Sequence, residues 1–295
     1  MHLSRRRFSV MLAALPATTL LPIRLRAEPS RDALSARLSE IEAGLGARLG
    51  VSILDTGSGK RWEHRASERF PLCSTFKALG AAAVLARVDT GEESLERRVR
   101  FAASDLVTYS PVTETQAGGA GMTMAEICHA AVTRSDNTAG NLILKSLDGP
   151  AGFTRFLRSI GDAQTRLDRW ETELNDVPPG DPRDTTTPAA MTDSLARVVL
   201  GDVLSPASRD TLSGWLVANT TGDKRLRAGL PKTWRVGDKT GTGDRGVAND
   251  VAVIWPPTGA PVVASVYIAD TTASLDARNA AFADVAAGLT EALKG

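Results

Sequence analysis

Apolar positions Leu34, Leu38, Ile41 and Leu45 recur at helical spacing within residues 31–48. The next two runs, "LGVSILD" and "KRWEHRA", flank "TGSG" and predict a β-hairpin. From Ser74 to about Ala218 the periodicity is mostly helical, broken by loops. Beyond Trp234 come three strand-like runs, "WRVGDKTG", "NDVAVIW" and "PVVASVYIA". A last helix over 274–293 carries Leu275, Phe282, Val285, Leu289 and Leu293 on one stripe. Strands at both chain ends and helices between them predict an α+β fold. One antiparallel sheet flanked by the terminal helices takes residues 28–65 and 217–295. An all-helical lobe takes residues 66–216. A cleft between two such lobes is a common ligand site.

Residues 166–188, "RLDRWETELNDVPPGDPRDTTTP", break the pattern with no sustained apolar period. Loops this long inside a compact domain are uncommon and usually functional or disordered. Trp170 and Leu174 are expected to pack it onto the body as an Ω-loop.

The N-terminus differs in character. Arg5, Arg6 and Arg7 precede an apolar stretch from Phe8 to Ile23, and no acid appears before Glu28. That is the pattern of a secretion signal over residues 1–27, and "SRRRF" fits the twin-arginine type. An amphipathic helix of the folded domain is the alternative. The whole chain has 35 basic and 34 acidic residues, and losing the five leader arginines leaves 30 against 34, a net −4. Nothing there suggests nucleic-acid binding. No run of 18 apolar residues exists to span a membrane in the mature form.

Beyond the leader the chain keeps only His64, His129, Cys73 and Cys128, which form no zinc-ligand spacing and no motif for a Ser-His-Asp triad. Ser74 and Lys77 stand three apart at the head of the Ala/Leu-rich run "FPLCSTFKALGAAAVLA". With 21 serines and 7 lysines in 295 residues, composition alone gives S-x-x-K about half a time. The chain nevertheless uses 28 arginines to those 7 lysines. A guanidinium cannot serve as a base, whereas a buried amine can. On a helix the two side chains share one face. An N-cap serine followed by a solvated lysine remains the other reading. "SDN", residues 135–137, taken alone reads as a helix start. "DKTGTG", residues 238–243, is either a turn with a solvated lysine or a strand edge lining a cleft. Glu171 alone is either a solvated loop acid or a base.

S-x-x-K, S-D-N and K-T-G occur together and in order, as in class A β-lactamases and penicillin-binding proteins. The mature chain resembles a class A serine β-lactamase throughout, including "DLVTYSPVTE", "RWETELN", "RDTTTPAAM" and "GDKTGTG". The resemblance implies that Ser74 attacks the lactam carbonyl and that the N–H groups of Ser74 and Thr242 form the oxyanion hole. Ser135 passes a proton to the leaving nitrogen, with Lys77 and Lys239 nearby. Asn137 holds the substrate amide, Glu171 with Asn175 activates water, and Tyr109 stands at the cleft mouth. Thr240, Gly241 and Thr242 line the substrate strand. Arg169 and Asp184 clasp the Ω-loop, and Arg227 and Asp238 pair beside Lys239. Arg225 is assigned to the substrate carboxylate, because other positions used by relatives read Ala248 and Asn279. The cysteine partners found in relatives are replaced by Ala81 and Gly243, so Cys73 and Cys128 are expected to be free. No cofactor or metal is implied, and an exported monomer is expected. The alternatives are a DD-peptidase acting on cell-wall peptides and a β-lactam sensor.

Overall fold

The computed structural model describes residues 33–294, so the leader lies outside the described residues. In chain order the elements are α1 (Ala33–Leu45), β1 (Arg48–Asp55), β2 (Arg61–His64), β3 (Phe70–Pro71), α2 (Phe76–Asp89), β4 (Arg98–Val99) and β5 (Met122–Thr123). Then follow α3 (Met124–Thr133), α4 (Asn137–Ser146), α5 (Gly149–Ser159), β6 (Thr185–Thr186), α6 (Pro188–Val199), α7 (Pro206–Val217) and α8 (Leu226–Gly229). Last come β7 (Arg235–Thr242), β8 (Ala248–Trp255), β9 (Val262–Ala269) and α9 (Leu275–Ala292).

The five long strands form one antiparallel sheet in the order β2-β1-β9-β8-β7. The two chain ends therefore meet at the β1–β9 pair, where Ser52 faces Ser265. β8 and β9 are buried along almost their whole length, because both sheet faces are covered. On one face Leu34, Leu38, Phe282, Val285 and Leu289 of α1 and α9 pack against Val51, Ile53, Ala252 and Val266. On the other face Val251, Val253, Val263 and Tyr267 join the core of the middle segment. The terminal helices thus cover only one face; α6 and α7, from the middle of the chain, cover the other.

At the centre of the helical lobe every residue of α2 from Phe76 to Leu85 is buried. Its alanines let α3, α4 and α7 approach closely on several sides. Two features departed from the sequence reading. Cys73–Thr75 is a short 3₁₀ turn before α2, and Ser74 caps nothing. The paired fragments β3–β6 and β4–β5 were not expected from such short runs. The first matters for the site, since Phe70 pairs with Thr186 and Leu72 N–H donates to Asp184 O at 2.8 Å. The end of the long loop is thereby fixed beside the segment leading to Ser74.

Candidate active site

Ser74 lies between α2, the Ω-loop and the edge strand β7. Lys77, one turn further along, is wholly buried and its Nζ is 2.9 Å from Ser74 Oγ. The same ammonium reaches Ser135 O at 2.9 Å, Asn137 Oδ1 at 2.6 Å and Glu171 Oε1 at 2.9 Å. Glu171 Oε1 is also 3.4 Å from Ser74 Oγ. α4 comes this close because Gly140 faces the lysine; a Cβ there would stand 2.8 Å from Lys77 Cε. The solvated-lysine reading is excluded by this burial.

The S-D-N turn divides its work. Asp136 caps α4 by accepting from Ala139 N–H at 2.8 Å. It also accepts from Val112 N–H, Thr113 N–H and the Thr113 hydroxyl, which anchors the "DLVTYSPVTE" segment. Ser135 and Asn137 flank it, and Asn137 Nδ2 donates to Thr108 O at 2.8 Å. Lys239 Nζ donates to Ser135 Oγ at 2.9 Å and to Thr240 O at 2.8 Å. Cys73, Tyr109 and Ser135 all have left-handed φ, at 43°, 64° and 55°. Such residues cost roughly 1–3 kcal/mol each and persist where surrounding structure over-determines them. Tyr109 is 58% exposed at the rim, and its carbonyl accepts from Asn137 N–H at 3.0 Å.

Glu171 is held from two directions. Asn175 Nδ2 donates to Glu171 Oε2 at 2.6 Å, within a 3₁₀ turn over Glu173–Asn175. Asn141 of α4 grips its backbone, accepting from Glu171 N–H at 2.9 Å and donating to Glu171 O at 3.0 Å. The Glu171–Thr172 peptide is cis. Arg169 Nε meets Asp184 Oδ2 at 2.6 Å, and Asp184 Oδ1 accepts from the N–H groups of Asp168 and Arg169. A bridge between Arg166 and Thr185 closes the loop, so Thr185–Thr186 and Pro188 belong to β6 and α6 rather than to the loop proper. Leu174 is fully buried and anchors it, whereas Trp170 stays 39% exposed and anchors less than expected.

β7 approaches the Ser74 turn directly. A Cβ at Gly241 would lie 3.1 Å from Leu72 O and 3.2 Å from Cys73 Cβ, so a side chain there would have to push the Ser74 turn back by a few tenths of an ångström. Arg225 sits behind this strand rather than opening a free fork into the cleft. Its Nη1 donates to Gly241 O at 2.7 Å and Asn249 O at 2.5 Å, its Nη2 to Thr242 Oγ1 at 2.7 Å, and its Nε to Asn279 Oδ1 at 3.2 Å. Thr240 Oγ1 pairs with Thr221 Oγ1 at 2.5 Å. Arg227 and Asn219 both bond Asp238. Burial, then the charge of Lys77, pushes Lys239 well below the usual lysine range, while Asp238 and Asp250 pull it back up. Cys73 and Cys128 are both buried and free, and burial pushes their thiols up, away from reactivity.

Asn141 and Thr221 were missed from the sequence. Asn141 lies four residues after Asn137 on α4, a spacing that puts both on one helix face. Thr221 carries no such signal. Among the described residues no cluster of three or more His, Cys, Asp or Glu could hold a metal ion, and no helix is long and apolar enough to cross a membrane.

The profile of the β-lactamase enzyme family matches residues 33–293. β-Lactamase FAR-1 of Nocardia farcinica is 52% identical over 260 residues, covering 88% of this chain and 83% of its own. β-Lactamase AST-1 of Nocardia asteroides is 52% identical over 257 residues, 87% of this chain and 83% of its own. The solved class A β-lactamase of the last common ancestor of Gram-negative bacteria is 62% identical with a TM-score of 0.87, covering 88% of this chain and 99% of that one. The chain belongs to the β-lactamase enzyme family, in its class A. It is accordingly a hydrolase that opens the amide bond of β-lactam antibiotics and confers resistance to them.

Proposed function

We propose that hydrolysis runs through an ester on Ser74. The observation that carries this is the buried Lys77 ammonium placed within 2.9 Å of both Ser74 Oγ and Glu171 Oε1. Ser74 Oγ gives its proton to Glu171, or to Lys77 once Lys77 has itself passed one to Glu171, and attacks the lactam carbonyl. The N–H groups of Ser74 and Thr242 stabilise the oxyanion. Ser135 Oγ, polarised by Lys239, delivers the proton to the departing nitrogen. Glu171 then takes a proton from the water that cleaves the ester, with Asn175 orienting both; Asn175 Oδ1 is buried and has no partner among the described residues. A fixed carboxylate beside the serine favours hydrolysis over the lasting acylation of a DD-peptidase. Asn137 receives the substrate amide, and Tyr109 borders its entry. Thr240, Gly241 and Thr242 hold the substrate carboxylate and backbone, with Arg225 acting through the Thr242 hydroxyl. Lys239 supplies the nearest positive charge.

The same proposal covers the rest of the chain. Residues 1–27 direct twin-arginine export to the periplasm and are removed. The mature chain divides into 28–65 with 217–295 and a helical part over 66–216, and it works as a monomer, since one chain supplies every group named. Fractionated cells expressing the full chain test this. Penicillin hydrolysis should be periplasmic, shift to the cytoplasm with Arg5→Lys plus Arg6→Lys, and vanish from both with Ser74→Ala. Periplasmic activity in the arginine variant would refute the export route, and activity in Ser74→Ala would refute the nucleophile.

A further inference from the structure

Asn249 is a costly residue where it stands. It is fully buried in β8, and Val251 and Val253, which follow on the same strand face, belong to the apolar core. Asparagine disfavours strands, and a buried amide is tolerated only when it is hydrogen-bonded. Its Nδ2 donates to Pro71 O at 2.8 Å and to Leu72 O at 3.2 Å. Its buried Oδ1 has no partner among the described residues, so the side chain is held by donation alone. Neither carbonyl belongs to the five-stranded sheet. Both lie in the segment that leads into the Cys73–Thr75 turn carrying Ser74.

Strand pairing gives this contact its meaning. Asn249 is the register partner of Gly241, the residue before Thr242. Leu72 lies two residues before Ser74. One residue therefore touches both sides of the cleft: its backbone runs beside Gly241 of β7, and its carboxamide holds the Ser74 turn. The carboxamide lies in the seam itself, since a Cβ built on Gly241 would stand 3.1 Å from both Asn249 Nδ2 and Leu72 O. Arg225 Nη1 donates to the carbonyls of both Gly241 and Asn249, which locks the two strands at that pair. Tyr267 of β9, paired with Asn249 on the other side, reaches the far end of the turn, its hydroxyl 3.3 Å from Thr75 Oγ1. Thr75 Oγ1 in turn donates to Leu72 O at 2.6 Å. The turn needs such support, because Cys73 is held at a left-handed φ of 43°.

We infer that Asn249 is a positioning residue that sets the separation between the N–H groups of Ser74 and Thr242. Oxyanion donors act through fixed placement, about 2.7–3.1 Å from where the oxyanion forms. Without the two amide bonds, Pro71 O and Leu72 O lose their donor from the sheet, and the Ser74 turn is no longer tied to the β7–β8 pair. The two N–H groups then lose their common spacing. The loss falls on kcat rather than KM, because charge on the carbonyl oxygen develops only in the transition state. This rests on the reading of the Ser74 and Thr242 N–H groups as the oxyanion hole.

Asn249→Leu is the diagnostic change, because it keeps the size of the side chain and removes both donors. Its penicillin kcat should fall about tenfold or more, short of the roughly 10²–10³ lost with a whole oxyanion donor, while KM stays within about threefold. The ester carbonyl stretch supplies a readout that a merely structural role would not move. In Glu171→Ala, where the ester accumulates, a penicillin carrying carbon-13 at the lactam carbonyl should give an infrared band lowered by the two N–H donors. Adding Asn249→Leu should move that band to higher wavenumber. Where the leucine variant does not fold, Asn249→Ala is read the same way, since it also removes both bonds. An unmoved band in a folded variant, with or without a fall in kcat, would overturn the role of Asn249 and leave Ser74 and Glu171 as assigned. Failure of both variants to fold would make Asn249 a residue of the fold alone and overturn the role too. No ester band in Glu171→Ala itself would overturn the serine ester, and the role of Asn249 with it.

Discussion

Lys77 offers three N–H bonds to four acceptors: Ser135 O, Asn137 Oδ1, Ser74 Oγ and Glu171 Oε1. Two of these are fixed parts of the S-D-N turn. The third N–H must alternate between the serine and the carboxylate. A proton passed from Lys77 to Glu171 would leave a lone pair 2.9 Å from the Ser74 hydroxyl. The arrangement therefore suits proton traffic better than a static ion pair. Arg225 shows the opposite behaviour: four bonds lock it, and three of them end on β7 or β8. Arg225→Ala should lower penicillin kcat/KM by about 1–3 kcal/mol in transition-state terms, the range of a lost charged hydrogen bond. Thr242→Val should share most of that loss. Unchanged kinetics in both variants would mean the substrate carboxylate is held elsewhere. The spacing of three short motifs pointed to Ser74, Lys77, Ser135, Asn137 and Lys239, since each motif keeps its members within one helical turn or one strand, whereas their roles, and Glu171 altogether, came from the family resemblance. The locked posture of Arg225 and the grip of Asn141 on Glu171 depend on chain segments far apart in sequence, which spacing cannot reveal.

At the scale of elements, alternation and helical period located the hairpin, the three C-terminal strands and the last helix to within a few residues. They did not locate β3 and β6, whose two-residue pairing is imposed by the loop they anchor. Nor could they say that α6 and α7 rather than the terminal helices cover the second sheet face, because both kinds of helix carry an apolar stripe. One link between elements has a measurable signature. Glu42 of α1 accepts from Leu49 N–H of β1 at 3.1 Å, meets His64 Nε2 of β2 at 2.9 Å and pairs with Arg65 Nε at 2.7 Å. The Arg65 guanidinium, helped by those partners, holds the Glu42 carboxyl down from 4.5 to about 2. A carboxyl depressed in the folded state adds stability above its unfolded value and loses it as pH falls towards the folded one. Glu42→Gln should thus lower Tm by a few degrees at neutral pH, at about 2–4 °C per kcal/mol for a chain of this size. The difference should shrink between pH 4.5 and about 2. Equal Tm values at neutral pH would show that the link contributes nothing.

For the molecule as a whole, the sheet built from both chain ends brings β7 to face a helix from the middle, and the clasped loop brings a carboxylate to the same point. Ser74 and Lys77 with an oxyanion hole are enough to form an ester. Its hydrolysis needs a base, and Glu171, held by Asn141 and Asn175, is the one proposed. General-base assistance is typically worth about 10² to 10⁴ in rate. The most direct measurement is mass spectrometry of Glu171→Ala mixed with a penicillin, alongside its turnover rate. A covalent adduct on Ser74 should accumulate while turnover falls by at least about 10²-fold. Turnover at the wild-type rate with no accumulated adduct would contradict it and leave Lys77 to serve both steps.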